Sequence, residues 1–555
     1  SDLSYVTLHS HPRLHLHHMA SSQLRTERAP INPTKRYYIK RVAARSGRPI
    51  VRFDVPAMAF DPKRPQKEDK FSTRLDVLGP LIREHYPVVP SSCQRNLMAA
   101  FDKRCNFYTD RRADRRIVKA SLHLLNRLAP AAHDPLVWSR SMFESWNSQF
   151  KPEKRRRHEA VYPLVAECTV KQFTDKQIFV KVEALLKRHD SNWAPRIIYQ
   201  SSDIHNVILG PVMQACTKRM FGSMDIATDP SSVVFSGAYR KQTDDLCSFI
   251  QAGSCSESQY IESDFSCNDQ TQVRDVHLLE IDWLRRFGAP LWLTSLMLHA
   301  NSFAVTSKGF GLRAKVTNQL PTGAQSTTFR NTMWNASIVE AFAVKFNLRG
   351  KCLVLGDDML FRVDNPFTRV GSMRRAYVFN TKEACMLAKV FVKEFLVECT
   401  FLSKQFIQTS FGFVLVPKLG KALARFNSSA NNNEAISDRS YLSGKALSYA
   451  YEFRHCPPIS KCFLTRYEQL TKNTVPSFSS LGWFAKGAFL DQGISGVLSS
   501  IARCPVATRD DITRFYHHKY GLTCTDVIVL AMRFVFGEDD LDESAVGRII
   551  EDFVD

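Results

Sequence analysis

Two adjacent acids follow a glycine in "LVLGDDMLF", residues 353 to 361, between two apolar runs. Glycine tolerates the angles that turns demand, so the stretch predicts a tight β-hairpin with Asp357 and Asp358 at its tip. Like charges side by side repel one another. A solvated charged turn is the plain interpretation; a divalent-metal site that keeps both carboxylates ionised is the chemical one. Metal-assisted phosphoryl transfer needs carboxylates converging from more than one strand. "YIESDFSCNDQTQ" supplies them, with Asp264 at the end of a strand-like run, able to share metals with Asp357, and Asp269 five residues on, aimed at the incoming substrate. Between these pieces, "LPTGAQSTTFRNTMWNASIVEAFAV" predicts a glycine-containing loop entering an amphipathic helix. Thr327 and Asn331 are four apart and fall on one helix face, a hydroxyl and an amide suited to hydrogen-bonding a ribose. Alone, that segment reads as an N-capped core helix; beside the two acidic pieces it reads as part of a site.

The elements around these residues must come from a long, basic chain. Its 555 residues, 44% hydrophobic, are too many for one compact unit, and three or four lobes are expected. Lys and Arg number 75 against 54 Asp and Glu, a net charge of +21 that suits a polyanionic partner, nucleic acid first. The 14 cysteines show no CxxC pair or zinc-type Cys/His spacing, which excludes a structural zinc class and fits free thiols in a reducing compartment. No apolar run is long enough to span a bilayer; "DVIVLAMRFVFG" is short and contains Arg533. Beginning at Ser1 rather than Met is compatible with a processed product or a fragment and leaves an upstream anchor open.

Residues 1 to 85, rich in Arg, Pro and His, read as an extended arm. Its "HSHPRLHLHH" carries His9, His11, His15, His17 and His18, either a metal set or a solvated or RNA-facing arm, and the arm is preferred. Residues 86 to 160 read as helical and close on the basic run "KPEKRRRHEA". Mixed, β-rich text follows to 260, then alternating helix and strand signals to 415, then helix again. The end, "FGEDDLDESAVGRIIEDFVD", is acidic, a solubilising tail or an occupant of a basic channel.

In order and spacing, the three pieces resemble the palm motifs of viral RNA-dependent RNA polymerases: D-x4-D as Asp264 and Asp269, (S/T)G-x3-T-x3-N as Thr322, Gly323, Thr327 and Asn331, and GDD as Gly356, Asp357 and Asp358. "FVKVEALLKRHDSNWAPRIIYQ" is similar to the family's basic fingers motif, giving Lys181, Glu183 and Arg196 as its members. Ala194 stands where a lysine often precedes the Pro-Arg pair, and Lys187 or Arg188 is the substitute. "LAKVFVKEFLVECTFLSKQF" resembles the last two palm elements, with Lys393, and Lys389 as its rival, as general acid toward pyrophosphate, and "FLSK", with Ser403 and Lys404, as the primer grip. The tombusvirus-like and nodavirus-like branch of positive-strand RNA viruses is the nearest in appearance. The resemblance covers roughly residues 170 to 460.

The resemblance implies an α+β fold in the form of a closed right hand: arm 1–85, fingers 86–260, palm 261–415 with a finger insertion between its first two motifs, and helical thumb with acidic tail 416–555. The palm is expected to be antiparallel strands flanked by helices. It also implies two Mg²⁺ or Mn²⁺ ions held by Asp264, Asp357 and Asp358. Lys181, Arg196, Asp269, Thr327 and Asn331 would bind the nucleoside triphosphate, with Gly323, Ser403 and Lys404 on template or primer. Partners implied are single-stranded RNA template, nascent RNA, NTPs and viral or host replication proteins. The expected location is host cytoplasm, at a membrane-associated replication complex or in a virion or ribonucleoprotein, with any membrane tether outside this chain. A noncatalytic RNA-binding replication subunit and, further off, a reverse transcriptase are the alternatives; the latter's family blocks the ribose 2′-hydroxyl with an aromatic residue where this chain offers Asp269 and Asn331.

Overall fold

A computed structural model describes residues 71–553, apart from 73–75, 83–86, 107, 187–193, 308–309, 311, 430–434, 473–474, 538 and 540–545. Residues 1–70 of the arm, with its five histidines, and Lys187 and Arg188 lie outside the described residues. In chain order the principal elements are α1 (Gln94–Arg104), α2 (Arg115–Leu128), β1 (Lys176–Val180), β2 (Ile197–Ser201), α3 (Asp203–Ile226), β3 (Val233–Gly237), α4 (Thr243–Gln251), β4 (Gln259–Phe265), α5 (Arg274–Arg286), β5 (Ser302–Ser307) and β6 (Leu312–Thr317). They continue as α6 (Thr327–Phe346), β7 (Gly350–Leu355), β8 (Asp358–Val363), α7 (Val370–Glu383), β9 (Ala388–Lys393), β10 (Lys404–Thr409), β11 (Gly412–Pro417) and α8 (Leu419–Phe426). Helices α9 (Asp438–Glu452), α10 (Pro457–Thr471), α11 (Trp483–Arg503), α12 (Arg509–Tyr520) and α13 (Cys524–Phe536) complete the series.

The central sheet has the order β9-β4-β8-β7-β3. Side chains of a strand alternate between faces, and the two cores follow that alternation. Ile261, Phe265, Cys352, Val354, Phe361 and Val363 face one core, packed under α2, α3, α5, α6 and α7. Tyr260, Leu353 and Leu360 face the other, shared with α4, the β10–β11 hairpin and α8 to α13. Burial of each large apolar side chain contributes about 1.5–3 kcal/mol, so a sheet apolar on both faces is held firmly between two layers. The expectation of antiparallel strands between 261 and 415 needs one addition, a parallel strand from earlier in the chain. Edge strand β3 pairs with β7 in parallel, while the remaining neighbours are antiparallel. The helix α3 precedes β3 and α4 follows it, so β3 enters the sheet without a hairpin partner and is free to run parallel.

A second sheet has the order β6-β5-β1-β2. Its β5–β6 hairpin comes from the chain between β4 and α6, yet β5 pairs in parallel with β1, pinning this excursion to the region around residues 176 to 201. Helix α1 closes a small core beneath it through Leu97, Ala100 and Phe101 with Ile178, Tyr199 and Val305.

The amphipathic expectation for α6 also needs correction. Every residue from Phe329 to Ala343 is buried. The helix lies between α2 and the sheet, so it has no solvent face along that length. Its polar residues are therefore committed to internal hydrogen bonds. Among the described residues, no helix is long and apolar enough to cross a membrane.

Candidate active site

The hairpin tip is shaped by two devices. Leu355 pairs with Asp358, which leaves Gly356 and Asp357 as a two-residue turn. Gly356 has φ 61°, and a Cβ there would meet nothing within 4 Å, so glycine is required for its backbone angle and not for space. From beneath, α6 holds the turn in place. The Gly356 N–H donates to Thr332 Oγ1 at 2.9 Å, and the Asn335 amide donates to the carbonyl oxygens of Asp357 at 3.0 Å and Gly356 at 3.3 Å. Thr332 and Asn335 escaped the sequence reading. Their only signal was polarity within the largely apolar "TMWNASIVEAFAV", a signal they share with Ser337 and Glu340.

Strands β4 and β8 pair with Glu262 opposite Leu360, and extending that register brings Asp264 level with Asp358. Asp264, Asp357 and Asp358 are all solvent-accessible. Even so, surrounding protein desolvates the hairpin acids, and this burial is the largest cause pushing Asp358 up to about 7. The negative charges of Asp357, Asp264 and Glu262 add to it, and Lys421 on α8 opposes it. Asp357 is raised by burial, then by Asp269 and Asp264, with Arg196 opposing. Five acids therefore share one electrostatic neighbourhood that is short of positive charge. Among the described residues, no three His, Cys, Asp or Glu side chains converge closely enough to enclose an ion by themselves. Mg²⁺ in phosphoryl-transfer sites is held by one or two carboxylates, waters and substrate phosphates, and needs no protein cage. The donor set, hard oxygens in excess negative charge, fits such an ion.

Asp269 is half-buried and held from two sides. Thr322 Oγ1 donates to its Oδ2 at 2.7 Å and Asn331 Nδ2 to its Oδ1 at 3.0 Å. Gly323, at φ 92°, lets the loop lie against β2; a Cβ there would come within 3.3 Å of the Tyr199 carbonyl, whose own N–H donates to the Thr322 carbonyl at 3.1 Å. The Thr327 hydroxyl donates to the Ala324 carbonyl at 2.9 Å, closing the loop and leaving its lone pairs for any ligand.

Of the other sequence candidates, Arg196 forms a two-pronged contact with Glu183, one arm at 2.6 Å, and Lys181 meets the same carboxylate at 3.0 Å. Those cations hold the Glu183 carboxyl below its usual range against the opposing effect of burial. Lys393 donates to the Glu398 carbonyl at 2.7 Å and lies 3.8 Å from Glu262. Its rival Lys389 is exposed and sits directly opposite Asp264 in the β9–β4 pairing. Lys404 is buried, 3.1 Å from Glu452 and over the Phe484 ring, so it bridges β10 to α9 and α11. Ser403 is exposed, in a turn where Leu402 and Ser403 both have positive φ, 50° and 58°.

A mixed sheet thus ends in clustered acids, with a hydroxyl–amide–carboxylate set beside them. Residues 62–489 match the family model described as RNA dependent RNA polymerase. The chain belongs to that family, nucleotidyltransferases of viral RNA replication that act on an RNA template with NTPs. The match extends the resemblance beyond both of its expected ends. No curated protein is significantly similar to it.

Proposed function

We propose that the chain copies a viral RNA by nucleotidyl transfer, with the central sheet as palm, the β1–β2–β5–β6 sheet and α1 as fingers, and α8 to α13 as thumb. The observation that carries this reading is the placement of Asp264, Asp357 and Asp358 at one end of the sheet, with Asp264 level with Asp358 across β4 and β8 and all three accessible to solvent. These carboxylates hold two Mg²⁺ or Mn²⁺ ions. Bound there, the ions supply charge stabilisation for the attacking and leaving oxygens. Arg196, oriented by Glu183 and within charge reach of Asp357, binds the triphosphate through its planar fork. Asp269 and Asn331 take the ribose 2′-hydroxyl, so ribonucleotides are preferred. The primer 3′-hydroxyl gives up its proton to solvent and attacks the α-phosphate, forming the new P–O bond as the α–β phosphoanhydride bond breaks, and pyrophosphate leaves with a proton from an exposed lysine. Lys389 suits that role better than Lys393, which lies four residues, about 13 Å, further along the strand from Asp264. Ser403 at the exposed turn and Gly323 in the loop contact primer and template, while Lys404 supports the grip from within. The setting is a cytoplasmic replication complex, with membrane contact through a partner.

The test is incorporation of labelled NTPs on a single-stranded RNA template in Mg²⁺ or Mn²⁺, with and without chelator. Template-dependent, chelator-sensitive product is the expected result. Template-bound protein that never extends, at every metal and primer condition, would sink this reading in favour of a noncatalytic RNA-binding subunit.

A further inference from the structure

Behind Asn331 runs a chain of buried polar side chains. Gln272 Nε2 donates to Asn331 Oδ1 at 2.6 Å, Arg330 Nε donates to Gln272 Oε1 at 2.7 Å, and Arg330 Nη1 lies 3.2 Å from Glu280 Oε2. Gln272, Arg330 and Glu280 are all but wholly buried, at 0%, 2% and 1% exposure. A side-chain amide in isolation has no preferred sense, because its two ends differ only by donor and acceptor. Here both ends of the chain are one-sided. A guanidinium can only donate, and an ionised carboxylate can only accept. Arg330 therefore turns the Gln272 oxygen toward itself and the Gln272 NH₂ toward Asn331. That in turn fixes the Asn331 oxygen inward and its NH₂ toward Asp269. Glu280 compensates the buried cation that starts the sequence, without which the guanidinium would be costly to bury.

We propose that Gln272 and Arg330 are positioning residues for ribose selection, acting through Asn331 by setting the direction of its amide. The inference rests on the ribose-binding reading of Asp269 and Asn331. With the amide so directed, one N–H is spent on Asp269 and the second is available to the 2′-hydroxyl, which donates in turn to Asp269. A flipped Asn331 would set oxygen against the Asp269 carboxylate and remove that donor.

Gln272→Glu tests this directly. It is nearly isosteric and keeps its partner Arg330, so the fold is retained. The introduced carboxylate, however, offers Asn331 an acceptor and reverses the amide. The readout is kcat/KM for each NTP divided by that for the matching dNTP. The ratio is expected to fall roughly tenfold or more, through the NTP value, since a site built for a hydroxyl discriminates through its paired groups. Arg330→Lys, which keeps a donor toward Gln272, should retain most of the ratio, and Asn331→Ala should lower it. An unchanged ratio in Gln272→Glu with a lowered one in Asn331→Ala overturns the positioning role alone. No change in either variant overturns the ribose reading and the inference with it. Equal losses for NTP and dNTP in Gln272→Glu mark a merely structural role and also overturn it.

Discussion

Asp358 and Asp244 are both solvent-accessible aspartates partly enclosed by protein, and their surroundings drive them in opposite directions. At Asp244, burial raises the carboxyl, but His455 at 2.7 Å and Arg454 at 2.8 Å outweigh it and bring it down to about 2. This pair of cations ties α4 to the turn between α9 and α10. At Asp358, burial acts the same way, yet three further acids add to it against the single opposing Lys421, and the carboxyl rises to about 7. One acid is completed by its own protein and serves cohesion. The other is left electrostatically incomplete, as expected where the missing charge arrives with metal and substrate.

That contrast breaks down unless substitutions in the two regions have opposite consequences. The largest effect is expected at the acidic end of the central sheet: Asp264→Asn should reduce RNA synthesis at least about a thousandfold while melting close to the unchanged protein, read by incorporation kinetics and circular dichroism. Next is the turn support. Asn335→Ala frees the carbonyls of Gly356 and Asp357 and should lower kcat about tenfold with little change in template affinity, because a misplaced carboxylate affects the transition state first.

Stability supplies the smaller and more discriminating effects. Without metal, Asp358 keeps its proton in the folded state to higher pH than in the unfolded chain. Ionising it therefore costs stability, a penalty absent below its ordinary value of 3.8 and complete above about 7. Asp358→Asn should raise the metal-free melting temperature at pH 8 by about 1–3 °C and lose that gain toward acid. Asp244→Asn should do the reverse at pH 8, costing about 1–2 kcal/mol after allowance for its solvent exposure. His455, raised to about 9 by its hydrogen bonds to Asp244 and neighbours despite burial, contributes stability that is complete below 6.5 and lost as pH rises through about 9. His455→Gln should accordingly cost less at pH 10 than at pH 6, measured by urea melts at the two pH values.

The difference between the two regions also explains what could be read in advance. The acids of the hairpin, Asp264 in β4 with Asp269 just beyond it, and the stretch from Thr322 to Asn331 are short contiguous patterns, so their types and spacing stood out in the sequence. The Asp244–Arg454–His455 cluster and the Gln272–Arg330–Glu280 chain join segments far apart along the chain, and none of these residues stands in a local pattern that marks it. Thr332 and Asn335 were hidden inside an apolar helix because only the packed turn shows what they hold. For Lys404 the motif showed the basic residue and not its partner, since Glu452, which meets its charge, lies 48 residues further along the chain. The parallel entry of β3 was illegible for a simpler reason, since strand direction is set by pairing across distant segments and by nothing within the strand.

RNA synthesis by Asp357→Ala, set beside the unchanged chain and Asp244→Asn on one single-stranded template with NTPs and Mn²⁺, tests the central claim most directly. The account predicts product from the unchanged chain and from folded Asp244→Asn, and none from folded Asp357→Ala. Undiminished product from Asp357→Ala would contradict it, because the hairpin carboxylate would then take no part in nucleotidyl transfer.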